Sequence, residues 1–482
     1  MDNFWDYSVW GFIMIVATLL GSLLAGNSLK RKIPFLKNSL MPASVIGGTL
    51  LIIIAAIFKG ITGDVMFDTA VYNKTGTAYL EMITYHTLAL GFIASTLKIT
   101  NTHLNKKRTT EIFNSGVTTV STYLLQGVVG LGVTMVAALV ISGFFKAAGM
   151  LLPFGFGQGT GQAMNYGNIY EQDYGFIGGK SFGLTIAAIG FISASFGGVI
   201  HLNIMKKQGK INVTGSKNML NVEKVEGNDE VPMQESLDKI SIQIAFIFVS
   251  YALAYLMMFG LGNLISGMKS TIYGFNFLLG VLSATIVKYV TRFLRKTQLM
   301  HREYINNFLL TRLSNFFFDI MIVSGIAAIR LDILEQYWGI ALILGAAGLV
   351  VTYAYNRLVA KVLFKDYDEE QFLAMYGMLT GTASTGIILL REVDPDFKTP
   401  AADNLVYQNF PAIALGFPML IIATFAPKNP PAALAILGVF FIVMNFILFR
   451  SLIFKKSTNT AVVDEQPTEA VEDSVTEEMK KF

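Results

Sequence analysis

Runs of about 20 apolar residues recur along this 482-residue chain, and they constrain its fold more than any other feature. A helix of about 20 residues crosses a hydrocarbon core of about 30 Å. Only 15% of the residues are charged, against about 25% in soluble globular proteins, so we expect an all-α polytopic membrane protein. Hydropathy predicts eleven membrane-spanning helices, at residues 8–29, 42–58, 79–97, 112–145, 181–205, 240–265, 273–290, 305–329, 338–364, 405–426 and 431–454.

Two further apolar segments, residues 151–168 and 371–391, are too short and too rich in Gly and Thr to cross a membrane comfortably. The positions of Lys and Arg test how these segments enter, because inner loops carry an excess of positive charge. With the N-terminus outside, only seven of the 37 cationic residues fall in outer loops: Lys59, Lys74, Lys146, Lys180, Lys269, Arg330 and Lys428. This asymmetry holds only if both segments enter and leave on the same side. The sequence therefore predicts two re-entrant hairpins, an outer N-terminus and a cytoplasmic C-terminus in the inner membrane.

The two halves of the chain match in layout. Each has four spans, then a re-entrant segment carrying Gly-Thr, then a fifth span. Five is odd, so the second half starts on the opposite side, and inverted repeats of this kind recur in secondary transporters. The predicted organisation is an N-terminal repeat (1–205), a cytoplasmic connector (206–239), a C-terminal repeat (240–426), an extra transmembrane helix (427–456) and a disordered acidic tail (457–482).

The two glycine-rich segments are the predicted binding site. Unwound backbone persists at membrane depth only where it is buried in protein or lines a wet cavity. There its carbonyls can coordinate sodium, and its N–H groups at half-helix starts can hold a carboxylate. The candidate ligands are Gly155, Gly157, Gln158, Gly159, Thr160, Gly161, Gln162 and Asn165 in the first segment, and Thr380, Gly381, Thr382, Ser384, Thr385 and Gly386 in the second. Sodium is expected at carbonyls of these segments together with Thr160, Thr382 and Ser384.

A competing interpretation is close helix packing. Gly155 with Gly159, and Gly157 with Gly161, form Gly-x-x-x-Gly pairs, which commonly mark helix contacts without a ligand. The occurrence of two such segments at matching positions of the two halves favours a binding site over packing alone.

Three stretches of sequence carry a family resemblance: "FLKNSLMPASVIGGTL" (35–50), "GFGQGTGQAMN" (155–165) and "FGGVIHLNIMKK" (196–207). They resemble the bacterial sodium/glutamate symporter family, whose layout fits residues 8–426. The resemblance implies a homodimer of two inverted five-span repeats that moves an acidic amino acid with sodium by an elevator-like motion. The chain departs from the family at Gln158, where the Gly-Gly-His-Gly-Thr-Gly motif has histidine, in the second hairpin and in the extra span. Fold and cation coupling therefore carry over better than substrate identity.

Charged residues within the predicted spans are further candidates. Asp319 lies among phenylalanines in mid-span, where an unpaired carboxylate is costly, so it is expected to ligate a cation, relay a proton or pair with a base. Arg312 is about 10 Å away along the same helix, so a partner on another helix is expected. Asn315, one turn before Asp319, shares its face. Arg391 can grip a substrate carboxylate as a bidentate fork or anchor its segment at the inner face.

The leading prediction is a secondary active transporter for glutamate or a related acidic amino acid, with sodium as coupling ion, no other cofactor, and no nucleic-acid partner. A sodium- or proton-coupled carrier of another carboxylate is the alternative. A membrane-embedded enzyme is not expected, because the serine in "GTASTG" is out of register with the Gly-x-Ser-x-Gly elbow and no P-loop is present. A channel would need a continuous symmetric pore, which two different broken segments do not favour.

Overall fold

Helices form all the regular structure in the computed structural model, which describes residues 3–99, 106–209, 237–395 and 397–453. The α-helices are α1 (Tyr7–Lys32), α2 (Pro34–Asn38), α3 (Ala43–Thr62), α4 (Gly76–Leu97), α5 (Lys106–Val140), α6 (Leu151–Tyr174), α7 (Gly179–Lys207), α8 (Lys239–Leu264), α9 (Lys269–Gly274), α10 (Asn276–Lys296), α11 (Asn307–Ala327), α12 (Leu331–Leu334), α13 (Trp338–Leu363), α14 (Asp368–Thr380), α15 (Ala383–Arg391), α16 (Ala401–Tyr407), α17 (Asn409–Phe425), α18 (Pro430–Leu448) and α19 (Arg450–Ile453). The predicted acidic tail lies outside the described residues, as does most of the predicted connector. Residues up to Leu448 form one compact unit, and α19 belongs to a second.

Nine of the described helices are long and apolar enough to cross a membrane, and α16 with α17, bent by 48°, would make a tenth. The all-α, multi-pass prediction is therefore confirmed at this level. The sequence count of eleven included α4, a 22-residue helix that does not reach the same apolarity. More than half of α4 is buried, including Thr84 and Thr87, so much of its surface faces protein and has no need to be apolar.

Charged contacts mark the two ends of the helical bundle. At one end, Lys59 in the last turn of α3 pairs with Asp332 of α12 at 3.2 Å, and Lys180 of α7 pairs with Glu81 of α4 at 2.7 Å. We call this the cation-poor end, because it carries the few Lys and Arg residues predicted outside. At the opposite, cation-rich end lie the ion pairs Lys107–Asp366, Arg108–Asp403, Arg357–Asp368 and Arg357–Glu369.

Helices from the two halves of the chain pack in corresponding ways. The third long helix of one half, α4, packs along its counterpart α11, while α3 packs on α11 and α10 packs on α4. The fourth helices, α5 and α13, also pack on each other. Small residues allow the close approach between α4 and α11, since a methyl group added at Gly91 would lie 2.7 Å from the Phe318 ring. The additional helix α18 packs on α5 and α17.

Candidate functional site

The glycine-rich segment after α5 doubles back on itself. Within α6, Gly159 has φ 80° and ψ −171°, a conformation essentially confined to glycine. The rings of Phe154 and Tyr166, on either side of this break, stack with centroids 4.0 Å apart. Along a straight helix, residues twelve apart would be separated by about 18 Å. The rings of Phe145 and Phe176 stack at 4.7 Å, so the segment's two ends also meet. We call Leu151–Tyr174 the first hairpin.

The segment after α13 doubles back in the same manner. Helix α14 ends at Thr380, Gly381 and Thr382 have non-helical dihedral angles, and α15 begins at Ala383. A methyl group added at Gly377 would lie 2.7 Å from the Gly386 Cα, so the two arms are in direct backbone contact. We call Asp368–Arg391 the second hairpin.

The helical bounds of both hairpins are wider than the sequence indicated. The second arm of the first hairpin continues beyond residue 168 to Tyr174, where Gly175 ends it with φ 69°. The second hairpin starts at Asp368 rather than residue 371, because three acidic residues in its first turn favour a helix N-terminus.

The two breaks lie against each other. A methyl group added at Gly159 would be 3.8 Å from Thr382 Cγ2 and 4.0 Å from the Gly381 carbonyl oxygen. The Thr160 hydroxyl donates to the Met321 carbonyl of α11 at 3.1 Å, which ties the first tip to that helix. Gly190 of α7 lies between the tips, since a methyl group there would approach the Thr380 carbonyl oxygen to 2.6 Å. The tips of the two hairpins therefore contact each other, α7 and α11.

Because of the directions of the four helical arms, both negative and positive helix ends lie where the two tips meet. The first arm of each hairpin ends at its tip, so its last carbonyls, which carry partial negative charge, lie there. The second arm of each hairpin starts at its tip and brings the first N–H groups, with partial positive charge. One region thus offers groups for a cation and groups for an anion, the arrangement found in transporters with interrupted helices.

Among the predicted ligands, three side chains at the tips are partly exposed: Gln158, Thr382 and Ser384. Thr160, Thr380 and Thr385 are buried, and Thr382 and Thr385 face each other at 3.4 Å. The remaining tip positions, Gly159, Gly381 and Gly386, are buried in the contacts between and within the hairpins.

Other predicted ligands lie away from the tips or serve packing. Gly155, Gly157 and Gly161 are buried against Ile186 and Ala187, the Tyr123 ring and Leu88 respectively. Asn165 donates to Gln162 Oε1 at 2.9 Å and to the Gly274 carbonyl at 3.3 Å. These two amides are in the second arm, nearer the cation-poor end, so the structure does not bring them to the breaks.

Asp319 lies on a different side of α11 from the tips. It is half-buried and faces the buried hydroxyl of Ser44 at the start of α3. Met321, two residues further on, contacts the first tip, and positions two apart on a helix point in nearly opposite directions. Asn315 is exposed one turn before Asp319, while the Arg312 guanidinium lies 5.0 Å from the Phe308 ring centroid.

Arg391 lies at the far end of α15, about 12 Å along the helix from the tip. Its guanidinium is 5.3 Å from the Phe397 ring centroid. Next to it, burial raises the pKa of the Glu392 carboxyl, an effect opposed by nearby Lys30. These contacts favour the anchoring role of Arg391 over contact with a solute at the tips.

A cavity of about 500 Å³ opens toward the cation-poor end. Its lining includes the ion pair of Glu81 with Lys180, Met164 and Asn165 of the first hairpin, and Tyr273. The volume is in the range of small-molecule sites. The cavity thus gives a polar approach along the second arm of the first hairpin.

A polar cluster between α5 and α13 is not among the residues that the sequence predicts for the site. Thr122 and Gln126 of α5 face Thr352 and Asn356 of α13, all buried, and Gln126 also donates to the Leu379 carbonyl of the second hairpin at 3.0 Å. The available signal was a short internal repeat, "VSTYLLQ" at 120–126 and "VVTYAYN" at 350–356. Hydropathy averages over such residues because apolar neighbours surround them.

In the described residues, no three His, Asp or Glu side chains converge as a metal site. No protein-family model matches the chain, and no curated protein matches it.

Proposed function

We propose that the chain is a secondary active transporter that moves glutamate or a related acidic amino acid together with sodium. The observation that carries this proposal is the meeting of two broken helices at Gly159 and Gly381, deep within a bundle of apolar helices. Broken backbone inside a membrane bundle leaves polar groups available to solutes, and it persists only where protein or a wet cavity surrounds it.

Both hairpins are proposed to re-enter the membrane, one from each side, as parts of two inverted five-helix repeats. Three packing features support this: α4 lies along α11, α5 along α13, and the contact of α3 with α11 has a counterpart in that of α10 with α4. The first hairpin starts and ends together near the cation-poor end, and the second has its base in the ion pairs of the cation-rich end. The proposed orientation puts the cation-rich end in the cytoplasm.

An anionic solute is proposed because two helix N-termini face the breaks. The arms that begin at Thr160 and Ala383 bring first-turn N–H groups, which have no acceptor within a continuing helix, toward the two breaks, and this favours a carboxylate. The partly exposed side chains Gln158, Thr382 and Ser384 supply neutral hydrogen-bonding groups beside it. The resemblance to sodium/glutamate symporters points to an acidic amino acid within the carboxylate class.

The transport motion is proposed to be elevator-like, in a homodimer. The hairpins would move with α5, α7, α13 and α17, on which they pack, against a frame made from α1, α3, α4, α8, α10 and α11. The ion pair between Glu81 of the frame and Lys180 of the moving group would have to open and re-form during this motion.

Uptake into proteoliposomes tests the function. The purified chain is reconstituted, a sodium gradient is imposed, and accumulation of labelled glutamate, aspartate, succinate and citrate is compared with that under potassium or proton gradients. We expect saturable accumulation of an acidic amino acid that requires sodium. Accumulation driven only by protons, or only of a dicarboxylate, would transfer the assignment to the alternative carrier. No accumulation of any of these solutes under any gradient would contradict the proposal.

A further inference from the structure

Four buried polar side chains form hydrogen bonds between α5 and α13. Thr122 and Gln126 are one turn apart on α5, and Thr352 and Asn356 are one turn apart on α13. The Gln126 amide donates to Thr352 Oγ1 at 2.8 Å, and the Asn356 amide donates to Thr122 Oγ1 at 3.4 Å. All four are at most 2% exposed. We call these residues the α5–α13 cluster.

Two oxygen atoms of this cluster have no partner. Gln126 Oε1 and Asn356 Oδ1 are buried and form no hydrogen bond in the described part of the chain. A buried carbonyl oxygen without a donor is costly, so some group has to interact with it. The orientation of both amides is fixed by their nitrogens, because Gln126 also donates to the Leu379 carbonyl at 3.0 Å and Asn356 to the Thr352 carbonyl at 2.9 Å. Turning either amide around would exchange satisfied donors for repelling acceptors.

The cluster is built from matching positions of the two halves. The sequence Val-x-Thr-Tyr-x-x-Gln on α5 recurs as Val-x-Thr-Tyr-x-x-Asn on α13, with both threonines and both amides 230 positions apart. The two copies face each other across the contact between the fourth long helices. A structural hydrogen bond requires only one amide and one acceptor. This arrangement leaves one amide oxygen from each half without a hydrogen-bond donor in the described part of the chain.

Carbonyls from both hairpins lie against α5 at this level. The Leu379 carbonyl, two residues before Gly381, accepts from Gln126, and the Gly157 carbonyl, two residues before Gly159, accepts from Tyr123 at 3.0 Å. These are last-turn carbonyls of the two first arms, whose helix dipoles are negative there. The nearest basic residue in sequence, Arg357, is paired with Asp368 and Glu369.

Uncharged oxygens beside the negative end of α14 are suited to a small hard cation. Carbonyl and hydroxyl oxygens are the ligands that hard cations take, and half-helix C-terminal ends coordinate sodium in transporters with interrupted helices. We propose that Thr122, Gln126, Thr352 and Asn356 bind one sodium ion, with the two amide oxygens as principal ligands. The inference rests on the proposed function and locates its coupling ion behind the tips, away from the sodium position expected at Thr160, Thr382 and Ser384.

This site would connect ion binding to the second hairpin. Gln126 holds the Leu379 carbonyl through its amide nitrogen and the ion through its amide oxygen. Occupancy therefore fixes the Gln126 side chain and, with it, the last turn of α14 before the break. Loss of the ion removes one of the interactions that hold the Gln126 side chain, so its hydrogen bond to the Leu379 carbonyl becomes easier to break.

Sodium binding by the purified full chain, with no solute present, tests the site. Sodium replaces choline at constant ionic strength while the thermal unfolding midpoint is followed by tryptophan fluorescence, because a ligand of the folded state raises that midpoint in a saturable way. We expect Thr352→Val to raise the half-saturating sodium concentration about tenfold or more. The matched control is Thr118→Val, whose hydroxyl donates only within its own helix, to the Asn114 carbonyl at 2.7 Å. It should leave the half-saturating concentration unchanged.

A second variant covers the case in which Thr352→Val does not fold. Asn356→Asp keeps an oxygen in place and adds a negative charge, so the folded protein should depend more strongly on sodium and saturate at a lower concentration. No sodium effect on the parent chain, or equal sodium dependence in all variants, would overturn the site and leave the oxygens to bound water. Sodium-driven uptake with an unchanged sodium dependence in Thr352→Val would contradict this sodium site and support the proposed transporter. Sodium binding without uptake of any tested solute would support the sodium site and contradict the proposed transport function.

Discussion

The two hairpins reach the same place by different physical means. The first turns at a residue that only glycine suits by conformation, Gly159, where an added methyl group would meet nothing closer than 3.6 Å. The second turns at Gly381, whose φ of −145° is not in the left-handed region, but where a methyl group would lie 3.0 Å from Thr385 Oγ1. One break is limited by backbone conformation and the other by space.

The hairpins also differ in how they are anchored. Along the second arm of the first hairpin, three tyrosines donate to carbonyls of α17: Tyr166, Tyr170 and Tyr174. The second hairpin is held at its base by Arg357, which binds Asp368 and Glu369, and by His201, 2.8 Å from Glu369. Its second arm α15 is partly exposed, whereas the first hairpin is buried almost throughout. The partly exposed arm α15 leaves the second hairpin the freer of the two, since fewer buried contacts mean a lower local stability.

The largest expected effect comes from removing the anchor of the second hairpin. Arg357→Met removes the guanidinium from part-buried Asp368 and Glu369, and we expect a cost of about 3 kcal/mol, the low end for a buried ion pair. The control is Lys107→Met at the same end, whose exposed pair with Asp366 should contribute little to stability. Denaturant unfolding in detergent measures both. Equal stability of the two variants would show that charge does not anchor the second hairpin.

The contact between the arms of the second hairpin gives the next effect. A methyl group at Gly386 would lie 2.4 Å from the Ala374 carbonyl, and backbone at this contact has little room to move. Gly386→Val should lower the free energy of unfolding by about 1–3 kcal/mol and reduce uptake. Gly438→Val, at a helical glycine with nothing within 4 Å, should do neither. If the Gly386 variant behaves like the Gly438 variant, the arms can separate without loss, and the second hairpin is looser than its contacts indicate.

Alanine at the two breaks separates conformation from space. Gly159→Ala forces a side chain into φ 80°, ψ −171°, at about 1–3 kcal/mol, whereas Gly381→Ala requires small shifts of Thr385, the Gly377 carbonyl and Phe191. We expect the larger loss of thermal stability at Gly159. Leucine at either position should abolish uptake while leaving membrane insertion intact. Normal uptake by both leucine variants would mean that the two glycines serve only helix packing. Equal losses of stability in the two alanine variants would mean that the breaks do not differ in what limits them.

Hydropathy alone predicts most of the membrane helices. Long apolar runs each have one low-energy solution in lipid, a helix, so nearly all the predicted spans coincide with described helices. Helix α4 was the weakest match because its surroundings are protein, and its residues report contact with α11 rather than contact with lipid.

The site was harder to obtain from sequence. Glycine and threonine enrichment located both breaks, but not which glycines turn the chain: the Gly155, Gly157 and Gly161 environments are set by Ile186, Tyr123 and Leu88, far away in sequence or on other helices. Asp319 is a candidate from sequence because an unpaired carboxylate in lipid is costly. The neighbour that its side chain faces, however, depends on how α11 is rotated against α3. The α5–α13 cluster depends on two helices 230 positions apart coming into register.

The smallest expected effect tests the neutral anchors of the first hairpin. Tyr170 donates to the Ala423 carbonyl at 2.7 Å, one of the last carbonyls of α17, which have no partner within their helix. Tyr170→Phe should lower the free energy of unfolding by about 1 kcal/mol, because a buried carbonyl loses its donor. Tyr174→Phe should cost less, since its hydrogen bond to the Thr424 carbonyl is only part-buried and water can replace it. Neither loss should change with salt, because no charge is involved. A salt-dependent loss for Tyr170→Phe would mean that the first hairpin relies on charged groups as the second does.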